Sequence, residues 1–360
     1  MPTSWLSSAS MRQRTFPTAT RVSPRFRDWL SSSRSNAINE IDGPRGVAVR
    51  TFAPQGVYLG GRALRRPERL GLVAWMAVRE APELDRRRAA CVRRWRLRLG
   101  QALAGGYRSY VCECTAGARA EAVLKLTVTA EEALLEARAL ERWRETRAAV
   151  RLLDADPENG ALLLERLRPA TPLPGVDQGW VLEVVADLLV RLHGVGSAGH
   201  FPDLVDLYPH LAEHSVEDNR YEREVRKEPG RAALALDLMA DAARVADHLS
   251  STARKKVLLH GDFLDKNLLL NDDHYVAVDP IPRIAEPESE IGFFACDHPP
   301  VSGIFDRATR IAERLSADTD RAVRWAAVWT VLLATSAWRQ DQDQLDELVA
   351  SQEFQAILRG

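Results

Sequence analysis

Four polar residues, His260, Asp262, Asn267 and Asp279, interrupt two apolar strings in the segment "LLHGDFLDKNLLLNDDHYVAVDP", Leu258 to Pro280. Asp262 and Asn267 bracket a short loop, and Asp279 closes a second apolar string twelve residues after Asn267. Two antiparallel strands joined at Asn271-Asp272-Asp273 would bring Asp279 back beside that loop. A carboxylate, an amide oxygen and a second carboxylate then converge. Hard oxygen ligands of this kind suit Mg²⁺, which keeps several waters and takes phosphate oxygens as well. Asp262 is left over to orient and deprotonate a hydroxyl. Phosphoryl transfer asks for such a set: little covalent chemistry, mostly positioning and charge neutralisation.

A complement lies upstream. Five of the 49 cationic residues are lysines, and one of them, Lys125, sits inside the apolar string "AVLKL". From a strand it can hold nucleotide phosphates. Glu136, eleven residues later on a helix, can pair with it; a buried lysine with no such partner would be costly. Gly105-Gly106-Tyr107-Arg108-Ser109, just before the strand "SYVCEC", forms a turn open enough to approach phosphates closely.

The elements that must position these residues can be read from periodicity. "SYVCECTAG" and "EAVLKLTV" read as two strands with a turn at Ala116-Gly117. "TAEEALLEARALERWRET" reads as a helix with Thr129 as N-cap and apolar positions at helical spacing. "AVRLLDAD" and "ALLLERL" form a hairpin across Pro-Glu-Asn-Gly. Residues 95–167 therefore read as a small sheet with one helix. After "RPATPLPG" the period changes to long helices, broken only by the two short strands around the polar segment.

These stretches resemble a known family. "HGDFLDKN" is similar to the H-G-D-x-x-x-x-N loop of the aminoglycoside phosphotransferase family, and "VAVDP" to its metal-binding Asp segment. Within that family the chain looks closest to the branch of streptomycin 6-kinases and enzymes described as acting on hydroxyurea. The similar stretches include "RWRLRLGQALAGGYRSYV", "AVLKL", "EARALERW", "AVRLLDADPENGALLLERL" and "RLHGV…FPDL", spread over residues 90–300. The resemblance implies an α+β, two-lobed, protein-kinase-like fold with a small β-rich N-lobe and a larger, mostly helical C-lobe. It implies ATP and Mg²⁺ as cofactors. Asp262 would be the catalytic base, His260 would brace its loop, and Asn267 and Asp279 would hold Mg²⁺. Lys125 would bind the ATP phosphates with Glu136 positioning it. Glu165, Arg166 and Leu167 would be the hinge whose backbone meets the purine. The acceptor would be a hydroxyl of a small molecule, an aminoglycoside such as streptomycin first. A sugar or amino-alcohol metabolite is a second candidate acceptor, and a nucleotide-binding pseudoenzyme is a reading of another class. Two positions depart from the family pattern: Lys266 before the loop Asn, and Pro282 where a Gly commonly follows the metal Asp.

Composition sets the remaining bounds. Net charge is -1 and 46% of residues are hydrophobic, which argues against a dedicated nucleic-acid binder and for an ample core. No apolar run reaches the roughly 18 residues that span a bilayer. Four cysteines are too few for a disulfide scaffold, so a reducing cytoplasm is expected. Residues 1–75 carry twelve Arg against four acids. They read as a poorly ordered basic arm, or as sequence ahead of a true start at Met76. Residues 76–166 are expected to form the nucleotide-binding lobe and 167–360 the catalytic and substrate lobe. Monomer and oligomer stay open. Glu286, Glu288, Glu290, Asp297, Asp341, Asp343, Asp346 and Glu347 could line a site for a polycationic acceptor or simply form an exposed acidic face.

Overall fold

Alternation in "AEAVLKLT" gives one strand two different faces. Ala122, Leu124 and Leu126 point to one side and are fully buried; Val123, Lys125 and Thr127 point to the other. The computed structural model describes residues 58–59, 62–63, 82–103, 109–117, 120–176, 178–197, 200–206, 229–298, 301–335 and 351–359. Most of the expected basic arm, with Gly105, Gly106 and the acids between 341 and 347, lies outside them.

Among the described residues the chain opens with a two-residue hairpin, β1 (Tyr58–Leu59) and β2 (Arg62–Ala63). Helix α1 (Pro82–Trp95) leads into β3 (Leu97–Ala102), β4 (Ser109–Ala116) and β5 (Ala120–Thr127). Helix α2 (Ala130–Trp143) follows, then β6 (Leu152–Asp156) and β7 (Ala161–Glu165). These strands form one antiparallel sheet in the order β3-β4-β5-β7-β6. The sequence reading anticipated β4, β5, β6 and β7. Cys91 of α1, Cys112, Leu124 and Leu163 close one face of the sheet. The other face, with Val123, Leu162 and Leu164, joins a core shared with Leu188, Phe263 and Phe294 of the second lobe.

Helix α2 starts where Thr129 was expected to cap it. The Thr129 hydroxyl accepts from the Glu132 amide at 3.1 Å, and the Glu132 carboxylate accepts from the Thr129 amide at 3.3 Å. This capping box satisfies two otherwise orphaned donors. It fixes the rotation that turns Ala133, Glu136, Ala137 and Leu140 inward.

The second lobe is mostly helical. Strand β8 (Pro169–Pro172) is followed by α3 (Val181–His193), α4 (Pro229–Ser251) and β9 (Val257–Leu259). Next come β10 (Leu268–Asn271), β11 (His274–Ala277) and β12 (Arg283–Ala285). Helices α5 (Pro287–Cys296), α6 (Ile304–Leu315), α7 (Thr319–Thr335) and α8 (Gln352–Arg359) complete it. The expected hairpin is present: β10 and β11 pair with Leu268 opposite Ala277 and Asn271 opposite His274. Asp272 takes the left-handed conformation the tight turn needs, at φ 56°. No helix among the described residues is long and apolar enough to cross a membrane.

Backbone hydrogen bonds tie the two lobes together behind the hairpin. The Ala277 amide donates to the Ala148 carbonyl at 2.8 Å, and the Val150 amide donates to the Ala277 carbonyl at 2.9 Å. The chain entering β6 is thereby zipped to β11.

Helix α5 is buried nearly all round and crosses α7 at close range. A Cβ on Gly292 would lie 2.5 Å from the Ala326 amide nitrogen. Gly292→Ala should therefore destabilise the fold by about 1–3 kcal/mol through overpacking. Urea denaturation would measure it; an unchanged midpoint would contradict the close crossing.

Candidate active site

Lys125 lies in the middle of β5, opposite Val111 of β4 and Leu162 of β7. The residue is buried and its ammonium is held between two carboxylates. Glu136 Oε2 is 2.5 Å away. Asp279 Oδ1, 154 residues on in sequence, accepts a short hydrogen bond from the same nitrogen. The pairing of Lys125 with Glu136, proposed from spacing alone, is present. Burial works against the charge on Lys125, but Glu136 and Asp279 outweigh it and push the amine above its usual range. Burial raises Glu136, opposed by Lys125 and reinforced by Asp279. The Lys125 charge, against the cost of burial, holds Asp279 below the usual carboxylate range.

The loop carrying Asp262 is shaped by its neighbours. Gly261 has φ 82°, and a Cβ there would meet the Ile281 carbonyl oxygen at 1.9 Å. Only glycine fits that approach. The Ile281 amide donates to the His260 carbonyl at 2.8 Å, so the residues after Asp279 are stitched to those before Asp262. Asp279 itself adopts φ 60°, a sparsely populated conformation for a residue with a side chain. The Val278 amide donates to the Asn267 carbonyl at 2.8 Å, which continues the hairpin and sets Asn267 beside Asp279.

The orientation of the Asn267 amide follows from its partners. Its Nδ2 donates to the Asp262 carbonyl at 2.9 Å and to Asp262 Oδ2 at 2.8 Å. Both partners only accept, so the NH₂ group must face them, and Oδ1 turns the other way. An amide oxygen and the Asp279 carboxylate are the hard donors a Mg²⁺ ion takes. The residues present fit that ion. Lys266 Nζ lies 3.3 Å from Asp262 Oδ2, so this departure from the family pattern sits on the carboxylate expected to act as base.

His260 does not reach the acceptor side. It is fully buried, stacked on Trp143 with centroids 6.1 Å apart and edge-on to Phe263. Burial lowers its pKa, against the pull of Glu290, Asp262, Asp279 and the Val278 carbonyl. From this buried position the ring packs against Phe263 of the loop that carries Asp262. Glu165 and Leu167 lie at and just beyond the end of β7. The Glu165 side chain accepts from the Arg151 amide at 2.7 Å, and the Glu165 amide donates to the Arg151 carbonyl at 3.0 Å. Ser109 begins β4 opposite Thr127 and is buried. Gly105 and Gly106 fall outside the described residues.

Three of the eight acids read as a cationic site or an exposed acidic face turn inward. Glu286 takes Arg321 Nε at 2.7 Å and also the Trp325 indole. Glu288 accepts from the Asp318 amide at 3.1 Å. Glu290 accepts from the Gly261 amide at 2.7 Å, the His260 amide at 3.2 Å and His193 Nε2 at 2.9 Å. All three are buried, and a buried carboxylate must find donors. Glu290 thus anchors the loop that carries Asp262, a contact the sequence reading missed. Its signal was present in "EIGFFAC": an acid inside an apolar helix.

Comparison with known proteins decides the family. Residues 94–343 match the family model described as "Aminoglycoside/hydroxyurea antibiotic resistance kinase". The chain belongs to this family. It is 31% identical to a hydroxyurea phosphotransferase from Kitasatospora aureofaciens over 67% of this chain and 69% of that enzyme. It is 30% identical to a streptomycin 6-kinase from Streptomyces griseus over 55% of this chain and 62% of that enzyme. Among solved structures it is similar to a choline/ethanolamine kinase family protein from Mesorhizobium loti. That match has TM-score 0.53 and 15% identity, and covers 77% of this chain and 98% of that one. The two-lobed kinase-like fold expected from the sequence is therefore the fold of this aminoglycoside/hydroxyurea kinase relative, and small-molecule phosphotransfer is its class of chemistry.

The buried imidazole of His260 gives a pH signature. Its folded pKa lies below the ordinary value of about 6.5. Below that value the unfolded chain takes a proton that the folded one refuses, so this group removes stability as pH falls from 7 to 5. Glu136, raised on folding, contributes with the opposite sign in the same window. The difference between wild type and His260→Asn isolates the histidine. Urea midpoints at pH 7, 6 and 5 should converge for the two proteins on acidification; a constant gap would contradict a buried neutral ring.

Proposed function

We propose that the protein is an ATP- and Mg²⁺-dependent phosphotransferase acting on a hydroxyl of a small molecule, with a streptomycin-like aminoglycoside as leading acceptor. One observation carries the reading. The Lys125 ammonium from the β-sheet lobe meets Asp279 from the helical lobe, beside the hooked pair Asp262 and Asn267. In this reading Asn267 Oδ1 and Asp279 hold Mg²⁺, which neutralises charge on the phosphates when bound. Lys125, kept charged by Glu136, pairs with the nucleotide phosphates. Asp262 orients the acceptor hydroxyl and takes its proton as that oxygen bonds to the γ-phosphorus and ADP leaves. The Asn267 amide and Lys266 fix the Asp262 carboxylate for that role. Glu290 and His260 hold the loop. The half-buried apolar residues Leu103 and Val111 of the sheet lobe and Leu269 of the hairpin offer faces for a purine.

A second acceptor class has specific support. Glu286, Glu288 and Glu290 are engaged by internal partners, which takes away three of the eight carboxylates first considered for a polycation. A hydroxyurea phosphotransferase stands beside the streptomycin 6-kinases among the relatives, at 31% identity. A small, weakly charged hydroxyl compound therefore stands as the alternative acceptor.

Purified protein with ATP, Mg²⁺ and separate streptomycin, hydroxyurea and metabolite arms would decide between them. ADP release confined to streptomycin supports the lead reading, release with hydroxyurea or a metabolite the second, and release in no arm contradicts both. Asp262→Asn should lower kcat by roughly 10²–10⁴-fold while leaving ATP affinity in place. Unaltered turnover in that variant would remove Asp262 from the base role.

A further inference from the structure

Lys266 is one of five lysines among 49 cationic residues. It stands next to Asn267 on the short turn Asp265–Asn267. The phosphotransfer reading gives it only a bracing part beside Asp262. Its position offers more.

The Lys266 Nζ lies 3.3 Å from Asp262 Oδ2. That is looser than the separation of about 2.7–2.9 Å in a strong ammonium–carboxylate bond. The carboxylate is also held without it. Asn267 Nδ2 donates to the same oxygen at 2.8 Å and to the Asp262 carbonyl at 2.9 Å. An ammonium has three donors, and one slack contact cannot use them all. The Lys266 side chain is 63% exposed, so its head is free to turn. Its charge also reaches the metal side of the site. Asp279 is held below the usual carboxylate range by Lys125 first, against the cost of burial, and Lys266 is among the smaller contributors. The ammonium therefore acts on both Asp262 and Asp279.

The reaction line passes close to this nitrogen. An acceptor oxygen hydrogen-bonded to Asp262 lies about 2.7 Å from its carboxylate. A phosphorus poised for attack lies roughly 3–3.5 Å beyond that oxygen. The γ-phosphorus is then within about 6 Å of the Asp262 carboxylate, and the Lys266 nitrogen already sits inside that radius. Two anions, Asp262 and the γ-phosphoryl group, must face each other across one hydroxyl. Charges of one sign at that range repel, and a cation beside both offsets the repulsion. Lys125 approaches from the sheet lobe and is shared between Glu136 and Asp279. Lys266 supplies a cation on the Asp262 side. A compact ammonium on a flexible stem suits a phosphate oxygen, which it binds as a point charge.

We propose that Lys266 is a ligand of the nucleotide γ-phosphate, bridging one of its oxygens to Asp262 Oδ2. The proposal rests on the phosphotransferase reading and adds to it a cation on the loop side of the γ-phosphate. Lys266 departs from the family pattern, so the contact belongs to this chain. As the acceptor oxygen bonds to the γ-phosphorus, the bond to the ADP oxygen breaks and its electron pair stays on ADP. The acceptor proton passes to Asp262. Lys266 stays on the transferred group throughout and keeps its own protons.

Such a contact exists for a triphosphate and not for a diphosphate, and the test uses that difference. A non-hydrolysable ATP analogue and, separately, ADP are titrated calorimetrically with Mg²⁺ into the full chain. The proteins compared are wild type, Lys266→Met, Asp262→Asn and the double variant Asp262→Asn/Lys266→Met. Lys266 is exposed, so its replacement leaves the fold in place. Lys266→Met should weaken binding of the analogue at least tenfold, as loss of one charge-assisted hydrogen bond does, and leave ADP binding as in wild type. The same selective loss should separate Asp262→Asn from the double variant. A lysine that only neutralised Asp262 would have no charge to meet in that background. If wild type binds both nucleotides and Lys266→Met weakens neither, or both equally, the proposal is overturned and the phosphotransferase reading stands. If wild type binds neither nucleotide, that reading falls and this proposal with it.

Discussion

The Lys125 ammonium, shared between Glu136 and Asp279, is the interaction on which the rest of the structure depends. It is buried, and so is Glu136. Removing either partner would leave an uncompensated charge in the interior, which costs several kcal/mol. Three constraints must hold for the contact to exist. The capping box at Thr129 sets the rotation of α2. The register of β5 between β4 and β7 sets the face on which Lys125 emerges. The zipper from Ala148 and Val150 to Ala277 sets the height of the hairpin that ends at Asp279. A slip of one residue in β5 would turn Lys125 into the opposite face, among Cys91 and Leu124.

The loop carrying Asp262 is built on a second principle, that of buried acids given defined donors. Glu290 gathers two backbone amides and His193, and His193 ends α3, whose Leu192 carbonyl in turn accepts from the Trp143 indole at 3.1 Å. Trp143 stacks on His260. A chain of contacts thus runs from the helix carrying Glu136, through α3 and α5, to the loop carrying Asp262. Glu286 and Glu288 do similar work for α7 and the Asp318 turn. The same helix that looks acidic in sequence is an internal scaffold.

Much of this was legible in the sequence because local signals and global fold agree. Thr129 reads as a cap, Ala116-Gly117 as a turn, and Asn271-Asp272-Asp273 as a hairpin, and each is found there. Lys125 stood out because arginine is the habitual cation of this chain. The α5 acids were misjudged for a physical reason: composition counts charges but not their partners, and Arg321, Trp325, His193 and the Asp318 amide come from distant segments. Asn267 was expected to ligate, but its hydrogen bonds to Asp262, which fix the amide orientation, arise from a tight turn that no periodicity reveals.

The account turns on whether Asn267 and Asp279 hold the cation that accompanies the nucleotide. Calorimetric titration of a non-hydrolysable ATP analogue, with and without Mg²⁺, into wild type, Asn267→Ala and Asp279→Asn tests this most directly. The expected result is tighter binding by the wild type when Mg²⁺ is present, with that gain reduced at least tenfold, about 1.4 kcal/mol, in each variant. An undiminished magnesium effect in both variants would contradict the account.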